Sequence, residues 1–337
     1  HPNSRRQRQM CIRDSLDNKL TVQYLKSKSL NRKNIKHVSD TVFDIERDEI
    51  GTVKKIICSN HIIEGDIFID CTGYKRIFSS KSDWVSFKDN LPMNSVTTFT
   101  RKHQESMVTK ADKLKIGWCW QIPTQERLGC GYVSCDEWGD DVIDEIKLNY
   151  SDAEIVKSFK FESGKLKKSW NHNVISLGLA YHFLEPLQAT NIHLTLVQIE
   201  MLCQKCIRDT KDRTLNSNVI SYYNKHIDNL IEDFKNFINI HYSCDTRVKM
   251  TDYNNEIIDL LKVRGLFHED ILQAYGSCGI QLWGHTLLGL NHLTKQDCHT
   301  FLSEMNSYDE VKEVSSELED TFTNTPFLTY KELIDIL

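Results

Sequence analysis

No apolar run in this sequence approaches the roughly 18 residues that cross a bilayer, so neither a membrane span nor a membrane partner is expected. Positive charge is not in surplus either. Lys and Arg total 42 against 47 Asp and Glu, a net charge of −5. That balance gives no whole-chain attraction for nucleic acid or anionic lipid. There is no G-x-G-x-x-G turn. The helix N-terminus that usually takes a dinucleotide pyrophosphate therefore cannot be assigned to any residue here. Nothing resembles a secretory signal, and no internal repeat or low-complexity segment stands out. The eleven cysteines show no disulfide framework. Cys203-Gln204-Lys205-Cys206 is a lone C-x-x-C, and zinc wants a second pair or two spaced histidines. No metal site is expected, and reduced thiols in a cytoplasmic protein are the default reading.

What is present suffices for a sizeable core. The chain has 337 residues, 40% of them hydrophobic, enough for one large domain or two medium ones. The start is unusual: Arg5-Arg6-Gln7-Arg8-Gln9-Met10-Cys11-Ile12-Arg13-Asp14 is basic and has no apolar period. A disordered arm or a nucleic-acid-binding arm would share that charge. We read residues 1–14 instead as the translated scar of a sequencing adaptor, with native sequence from about residue 15. Periodicity predicts a helix over Leu16–Asn34. Strands are predicted over Val38–Ile45, Thr52–Cys58, His61–Ile63 and Asp66–Asp70. Ser79–Pro92 reads as loop. Met93–Thr100, Gly117–Ile122 and Gly131–Cys135 read as strands, and Asp136–Ser151 as helix. Phe159–Phe161 and Lys168–Val174 read as short strands around a Ser163-Gly164 turn. A long amphipathic helix over Val219–His241 follows from the 3/4 spacing of Ile220, Tyr223, Ile227, Leu230, Ile231, Phe234 and Ile238. Shorter helices are predicted over Glu256–Lys262, Glu269–Tyr275, Lys295–Glu304 and Tyr308–Leu318. A composition shift near residue 200 is the expected boundary between a core over 15–200 and a helical region over 201–337.

Two stretches carry chemistry. In Gly117-Trp118-Cys119-Trp120-Gln121-Ile122-Pro123 the two Trp stand at i and i+2. On a strand they face one side, and Ile122 extends that side toward Pro123. They read either as one aromatic wall or as two core aromatics. In Phe183-Leu184-Glu185-Pro186-Leu187-Gln188-Ala189-Thr190-Asn191-Ile192-His193-Leu194 a strand and a turn give way to a helix opening near Thr190 or Asn191. Backbone N–H groups at such a turn suit an anion; a plain helix N-cap uses the same residues. His193 could titrate near neutrality or be a packed or capping histidine.

These stretches resemble the W-x-W-x-I-P and F-L-E-P-L-E-S-T-S-I-H-L segments of flavin-dependent tryptophan halogenases. Asp70-Cys71-Thr72-Gly73-Tyr74 is similar to that family's D-C-T/S-G-F strand end. Leu128-Gly129-Cys130-Gly131-Tyr132-Val133 is similar to its L-G-x-G-Y-V strand. Phe237-Ile238-Asn239-Ile240-His241-Tyr242 is similar to its F-I-x-x-H-Y helix. The resemblance runs from about Leu16 to at least Trp283.

The resemblance implies a mixed α/β (α+β) two-domain FAD-binding flavoprotein of the halogenase/monooxygenase type. Its N-terminal nucleotide-binding βαβ unit is missing from this chain, so the chain alone is expected to hold FAD poorly and to be inactive, and its C-terminal substrate subdomain is helical. It implies FAD, delivered reduced by a separate flavin reductase, together with O2 and a halide ion, acting on a small electron-rich aromatic such as tryptophan or an indole. Trp118, Trp120, Ile122 and Pro123 would form the barrier between flavin and substrate, past which oxidised halogen travels. Thr190 and Asn191 would hold the halide. Asp70, Thr72, Gly73, Gly178, Leu179, Ala180, Pro186 and Leu187 would contact the cofactor. At Leu179, flavoprotein hydroxylases often carry an Asp, so the position favours a halogenase over an oxygen-inserting enzyme; a plain buried strand end is the other reading. Two departures matter. The family's early catalytic lysine has no counterpart here. Its catalytic Glu is Gln188, which cannot ionise or accept a proton, beside Ala189 where relatives have Ser. Activity on another substrate, use of another base, or loss of activity all follow from that change as alternatives. Glu185 fits the family's structural Glu before Pro186.

Overall fold

The computed structural model describes residues 18–102, 109–124, 127–207 and 216–294. In chain order they form helix α1 (Asn18–Leu30) and strands β1 (Val42–Arg47), β2 (Val53–Cys58), β3 (Ile62–Glu64), β4 (Phe68–Asp70), β5 (Trp84–Ser86), β6 (Ser95–Arg101), β7 (Lys110–Leu114), β8 (Gly117–Pro123) and β9 (Leu128–Ser134). Helix α2 (Val142–Asn149) precedes β10 (Glu154–Lys160), β11 (Gly164–Leu166), β12 (Trp170–Asn171), β13 (Val174–Ser176) and β14 (His182–Phe183). Helices α3 (Thr190–Met201), α4 (Ser217–Ile240), α5 (Asp252–Leu261) and α6 (Ile280–Gly289) follow. The class is mixed α/β, as expected.

Two compact units divide the chain: 1–80 with 93–162 and 170–176, and 81–92 with 163–169 and 177–337. The composition shift near residue 200 falls inside the second. In the first unit, β1, β2 and β3 form an antiparallel meander, and β12-β13-β4 form a small sheet in which β13 and β4 run parallel. Its main sheet has the order β10-β6-β9-β8-β7, antiparallel throughout. Alternation sorts the side chains of β8 and β9. Cys119, Cys130 and Tyr132 point to the face covered by α2, where they join a core with Phe99, Ile116, Leu128, Ile146 and Tyr150. Burial lifts the Cys119 thiol to about 11 and the Cys130 thiol to about 12, so both remain unreactive thiols at neutral pH. Trp118, Trp120 and Ile122 point the other way.

The second unit sets the short sheet β14-β11-β5 with α3 to α6. Helix α4 keeps Tyr223, Ile227, Leu230, Ile231, Phe234 and Ile238 of the predicted stripe buried, together with Phe237, while Ile220 is half-buried. Asn216 caps its start by accepting the Asn218 N–H.

Several local expectations change. Ser79–Pro92 is not all loop, since it contains β5. Gly164 is not in a turn but begins β11, the central strand of its sheet. A β-carbon there would sit 2.4 Å from the Val85 carbonyl and 2.6 Å from the Trp84 ring, so only glycine lets the strands close. Lys168–Val174 breaks into β12 and β13 at His172, whose φ is 52°. Helix over Glu269–Tyr275 shrinks to a single 3-10 turn, His268–Asp270. Asp270 takes both Arg264 guanidinium nitrogens at 2.8 and 2.7 Å and the Phe267 N–H at 2.9 Å, which anchors a loop in place of a longer helix. Helix α6 lies where no helix is predicted. The predicted helices Lys295–Glu304 and Tyr308–Leu318, and residues 1–14, lie outside the described residues.

Candidate active site

In the first unit, the Trp pair forms a continuous surface on β8. The Trp118 and Trp120 ring centroids are 6.1 Å apart at 56°. Trp118 is buried and Trp120 and Ile122 are half-buried. The partner strand β9 is shaped to receive them, with Val133 across from Trp118, Gly131 across from Trp120 and Gly129 across from Ile122. Pro123 is buried and ends the strand.

Asp70 closes β4 of the same unit. It is fully buried, and its Oδ1 accepts the Thr72 N–H at 2.9 Å and the Thr72 hydroxyl at 2.6 Å. Among the described residues Oδ2 has no partner. Gly73 follows at φ 65°, a conformation that suits glycine. Burial holds the Tyr74 phenol up to about 12.

The second unit contains the other predicted residues. Gly178–Ala180 is one 3-10 turn, with Gly178 at φ 55°. A β-carbon on Gly178 would meet Thr195 Oγ1 at 3.2 Å. Gly178 and Ala180 are buried while Leu179 is exposed, so the plain buried strand end does not describe this turn. Beyond β14, the Glu185 carboxylate is buried and accepts the Tyr242 hydroxyl, the structural part expected of it. Pro186 and Leu187 are half-buried and Gln188 is exposed.

Gln188 and Ala189 both adopt left-handed angles, φ 57° and 53°. Two such non-glycine residues in succession are rare and carry strain. Helix α3 starts immediately after them. The Thr190 N–H is taken within the turn by the Leu187 carbonyl. The Thr190 hydroxyl is 1% exposed at the residue level and has no partner among the described residues. Asn191 uses its carboxamide on one residue: Oδ1 accepts the Leu184 N–H at 2.8 Å and Nδ2 donates to the Leu184 carbonyl at 2.7 Å. His193 bonds the Gly276 carbonyl through Nε2 at 2.8 Å, which makes Nε2 the protonated nitrogen, and its ring lies 5.4 Å from Phe234. That is an anchoring contact.

Sequence reasoning missed Gln198. Its side chain is buried and bonds the Gly178 N–H. The signal was available: a polar residue on the inner face of a helix otherwise buried through Leu194, Val197 and Met201. Tyr242 stood in a quoted motif but was given no task. His182, also unremarked, is wholly buried and its imidazole is held down to about 3 by desolvation.

The comparisons with known proteins agree with one another. The curated tryptophan 6-halogenase ThaL of Streptomyces albogriseolus is 26% identical over 241 residues, 67% of this chain and 44% of that protein. Tryptophan 7-halogenase RebH of Lentzea aerocolonigenes is 25% identical over 245 residues, 68% of this chain and 46% of that protein. The chain thus spans less than half the length of these relatives. Among solved structures, a tryptophan 6-halogenase (SttH) from Streptomyces toxytricini superposes with a TM-score of 0.80 at 20% identity, covering 96% of this chain and 67% of that one. BrvH, a flavin-dependent halogenase from Brevundimonas sp. BAL3, gives 0.78 at 20% identity, over 95% of this chain and 68% of that one. The family model described as tryptophan halogenase matches residues 7–261, well over half the sequence, and the chain belongs to that family.

Proposed function

We propose that this chain is part of a flavin-dependent halogenase, an oxidoreductase that uses reduced FAD, O2 and a halide to halogenate an electron-rich aromatic such as tryptophan or an indole. The observation that carries this reading is the start of α3. A strained pair, Gln188 and Ala189, delivers the chain to a buried Thr190 hydroxyl that lacks a partner among the described residues. A buried donor with nothing to bond is costly, and an anion is the kind of ligand that satisfies it.

The residues present fit the cofactor and the halide. In the second unit, Gly178, Leu179, Ala180, Pro186 and Leu187 would face the flavin. The exposed Leu179 offers an apolar contact, with no carboxylate for a ribityl chain. In the first unit, Asp70, Thr72 and Gly73 are proposed as cofactor contacts, because a buried carboxylate oxygen without a partner suits a sugar hydroxyl. FAD, reduced by a partner flavin reductase, supplies the two-electron activation of O2 that oxidises halide.

The chain's own groups do the rest. The Thr190 hydroxyl and the peptide groups beside Asn191 hold the anion. Asn191 contributes through its backbone, since its carboxamide is engaged with Leu184. Trp118 and Trp120 are rigid and bulky, and their task is exclusion. The resemblance gives such a wall the task of keeping the organic substrate from the flavin, so that only oxidised halogen would reach the ring. Gln188 can hydrogen-bond at its place but cannot take a proton.

The test is to incubate the chain, joined to the N-terminal nucleotide-binding unit and early lysine that the resemblance implies, with FAD, a flavin reductase, NADH, O2, bromide and indole, and to read product masses. Brominated indole is expected. Hydroxylated indole without bromination would make the chain a monooxygenase. No product, with FAD bound, would mark a degenerate relative.

A further inference from the structure

Helix α3 carries more than the turn at its start. Asn191 and Gln198 stand seven positions apart, two helical turns, and so share a face. Asn191 grips Leu184 at both backbone groups. Gln198 is 1% exposed; its Oε1 accepts the Gly178 N–H at 3.0 Å and its Nε2 donates to Ser169 Oγ at 3.2 Å. Because the Gly178 amide can only donate, the atom facing it must be the carboxamide oxygen. The Tyr223 hydroxyl of α4 lies against the Ser169 and Gln198 side chains. Thr195 stands between the two clamps. Its hydroxyl bonds back to the Asn191 carbonyl at 2.7 Å and fills the space beside Gly178. One helix therefore holds the 178–180 turn at one point and the 184–190 turn at another. Burial alone does not call for glutamine at 198, since leucine or methionine would fill an apolar helix face without a polar group to satisfy.

We propose that Gln198 is a positioning residue: by holding the Gly178 N–H to α3, it ties the flavin-facing turn to the halide-facing turn so that the two move together. This rests on the reading of the chain as a halogenase. Its consequence is linkage. A ligand that orders one turn makes the other cheaper to order, and the effect is reciprocal.

The test is a flavin-fluorescence titration with FAD of the chain joined to the N-terminal nucleotide-binding unit that the resemblance implies, at zero and at saturating sodium bromide, with ionic strength held by sodium sulfate. In the unsubstituted chain bromide should tighten FAD by about fivefold or more. Gln198→Met has similar length but no acceptor, and the ratio should fall to about one. Gln198→Glu keeps an acceptor for the Gly178 N–H and should restore most of it, which a role in packing alone does not explain. Should Gln198→Met fail to fold, Ser169→Ala serves: it frees the far side of the carboxamide and should lower the ratio part of the way. A ratio unchanged in Gln198→Met, or in Ser169→Ala where that is the folded variant, overturns the inference, as does FAD binding in the unsubstituted chain that ignores bromide. Both outcomes leave the halogenase reading standing. Failure of the unsubstituted protein, with that unit present, to bind FAD at all removes that reading and this inference with it.

Discussion

The indole of Trp120 lies across Gly131, its directly paired neighbour on the next strand, so closely that a β-carbon on residue 131 would fall 2.0 Å from the ring. The aromatic surface thus depends on the glycine opposite it. Gly131→Ala should drive Trp120 out of place and destabilise the fold by about 1–3 kcal/mol, the usual range for overpacking. Urea unfolding followed by tryptophan fluorescence measures it. Adding Trp120→Leu should recover much of the loss, because the smaller side chain vacates the contested volume. A Gly131→Ala variant as stable as the parent would mean that the ring has room to move.

Ala189 gives a prediction of opposite sign. It sits at φ 53° and ψ 27°, where an L-residue with a β-carbon is disfavoured by roughly 1–2 kcal/mol. Glycine removes that strain but brings about 0.5–1 kcal/mol of extra unfolded-state freedom. Ala189→Gly should therefore stabilise the chain by about 0.5–1 kcal/mol. That corresponds to a rise of about 1–3 °C in Tm by calorimetry. The strain sits beside Thr190, so the same substitution should weaken the proposed halide turn by leaving its backbone less constrained. A lower Tm would show that the left-handed pair is held by something other than tolerance of strain.

These two cases show where the sequence was legible. The Trp118, Trp120 and Ile122 face followed from the strand period alone, and α4 followed from its apolar spacing. Such patterns are local, and burial enforces them. Gly164 misled because glycine beside serine is ordinary turn chemistry; only the approach of Trp84 and the Val85 carbonyl explains it, and that contact spans some eighty residues of sequence. The loop in place of helix over Glu269–Tyr275 depends on Arg264 reaching Asp270, a side-chain choice that periodicity does not encode. The candidate turn was found by motif, yet its inner working was not. The engagement of Asn191 with Leu184 and of Gln198 with Gly178 are tertiary bonds made by residues whose type alone suggests capping or solvation.

Asp233 gives the chain a pH signature. On α4 it is buried and accepts the Cys278 N–H at 2.7 Å. Desolvation raises its carboxyl to about 7, with the Cys278 amide and thiol pulling the other way; the Cys278 thiol and the Tyr253 phenol are titratable groups that sense it. The folded value is above the unfolded one of about 3.9, so between those values the folded chain binds more protons. Its contribution is fully present below about pH 4 and is lost as pH rises to about 7, with a slope of up to about 1.4 kcal/mol per unit. Asp233→Asn keeps an acceptor for Cys278 and has no proton to lose. Its stability relative to the parent should grow from pH 4 to 7 and then level off, as urea melts across that range will read. A constant difference would show that the carboxyl titrates normally.

Gln188 is the position on which activity is expected to turn. It is exposed and already in the left-handed region, so Gln188→Glu changes ionisation without disturbing packing, and neither Tm nor FAD affinity should move. A carboxylate there can accept a proton from a cationic ring intermediate where the carboxamide cannot. If proton removal limits the proposed bromination, turnover at pH 7 should rise by about 100-fold, the lower end of general-base effects, with KM for indole little altered. The gain should fade below about pH 4, where an exposed glutamate protonates, and that pH dependence separates a base from a better hydrogen bond. Unchanged turnover in Gln188→Glu would mean that the proton leaves by another route, and that glutamine at this place is no sign of lost function.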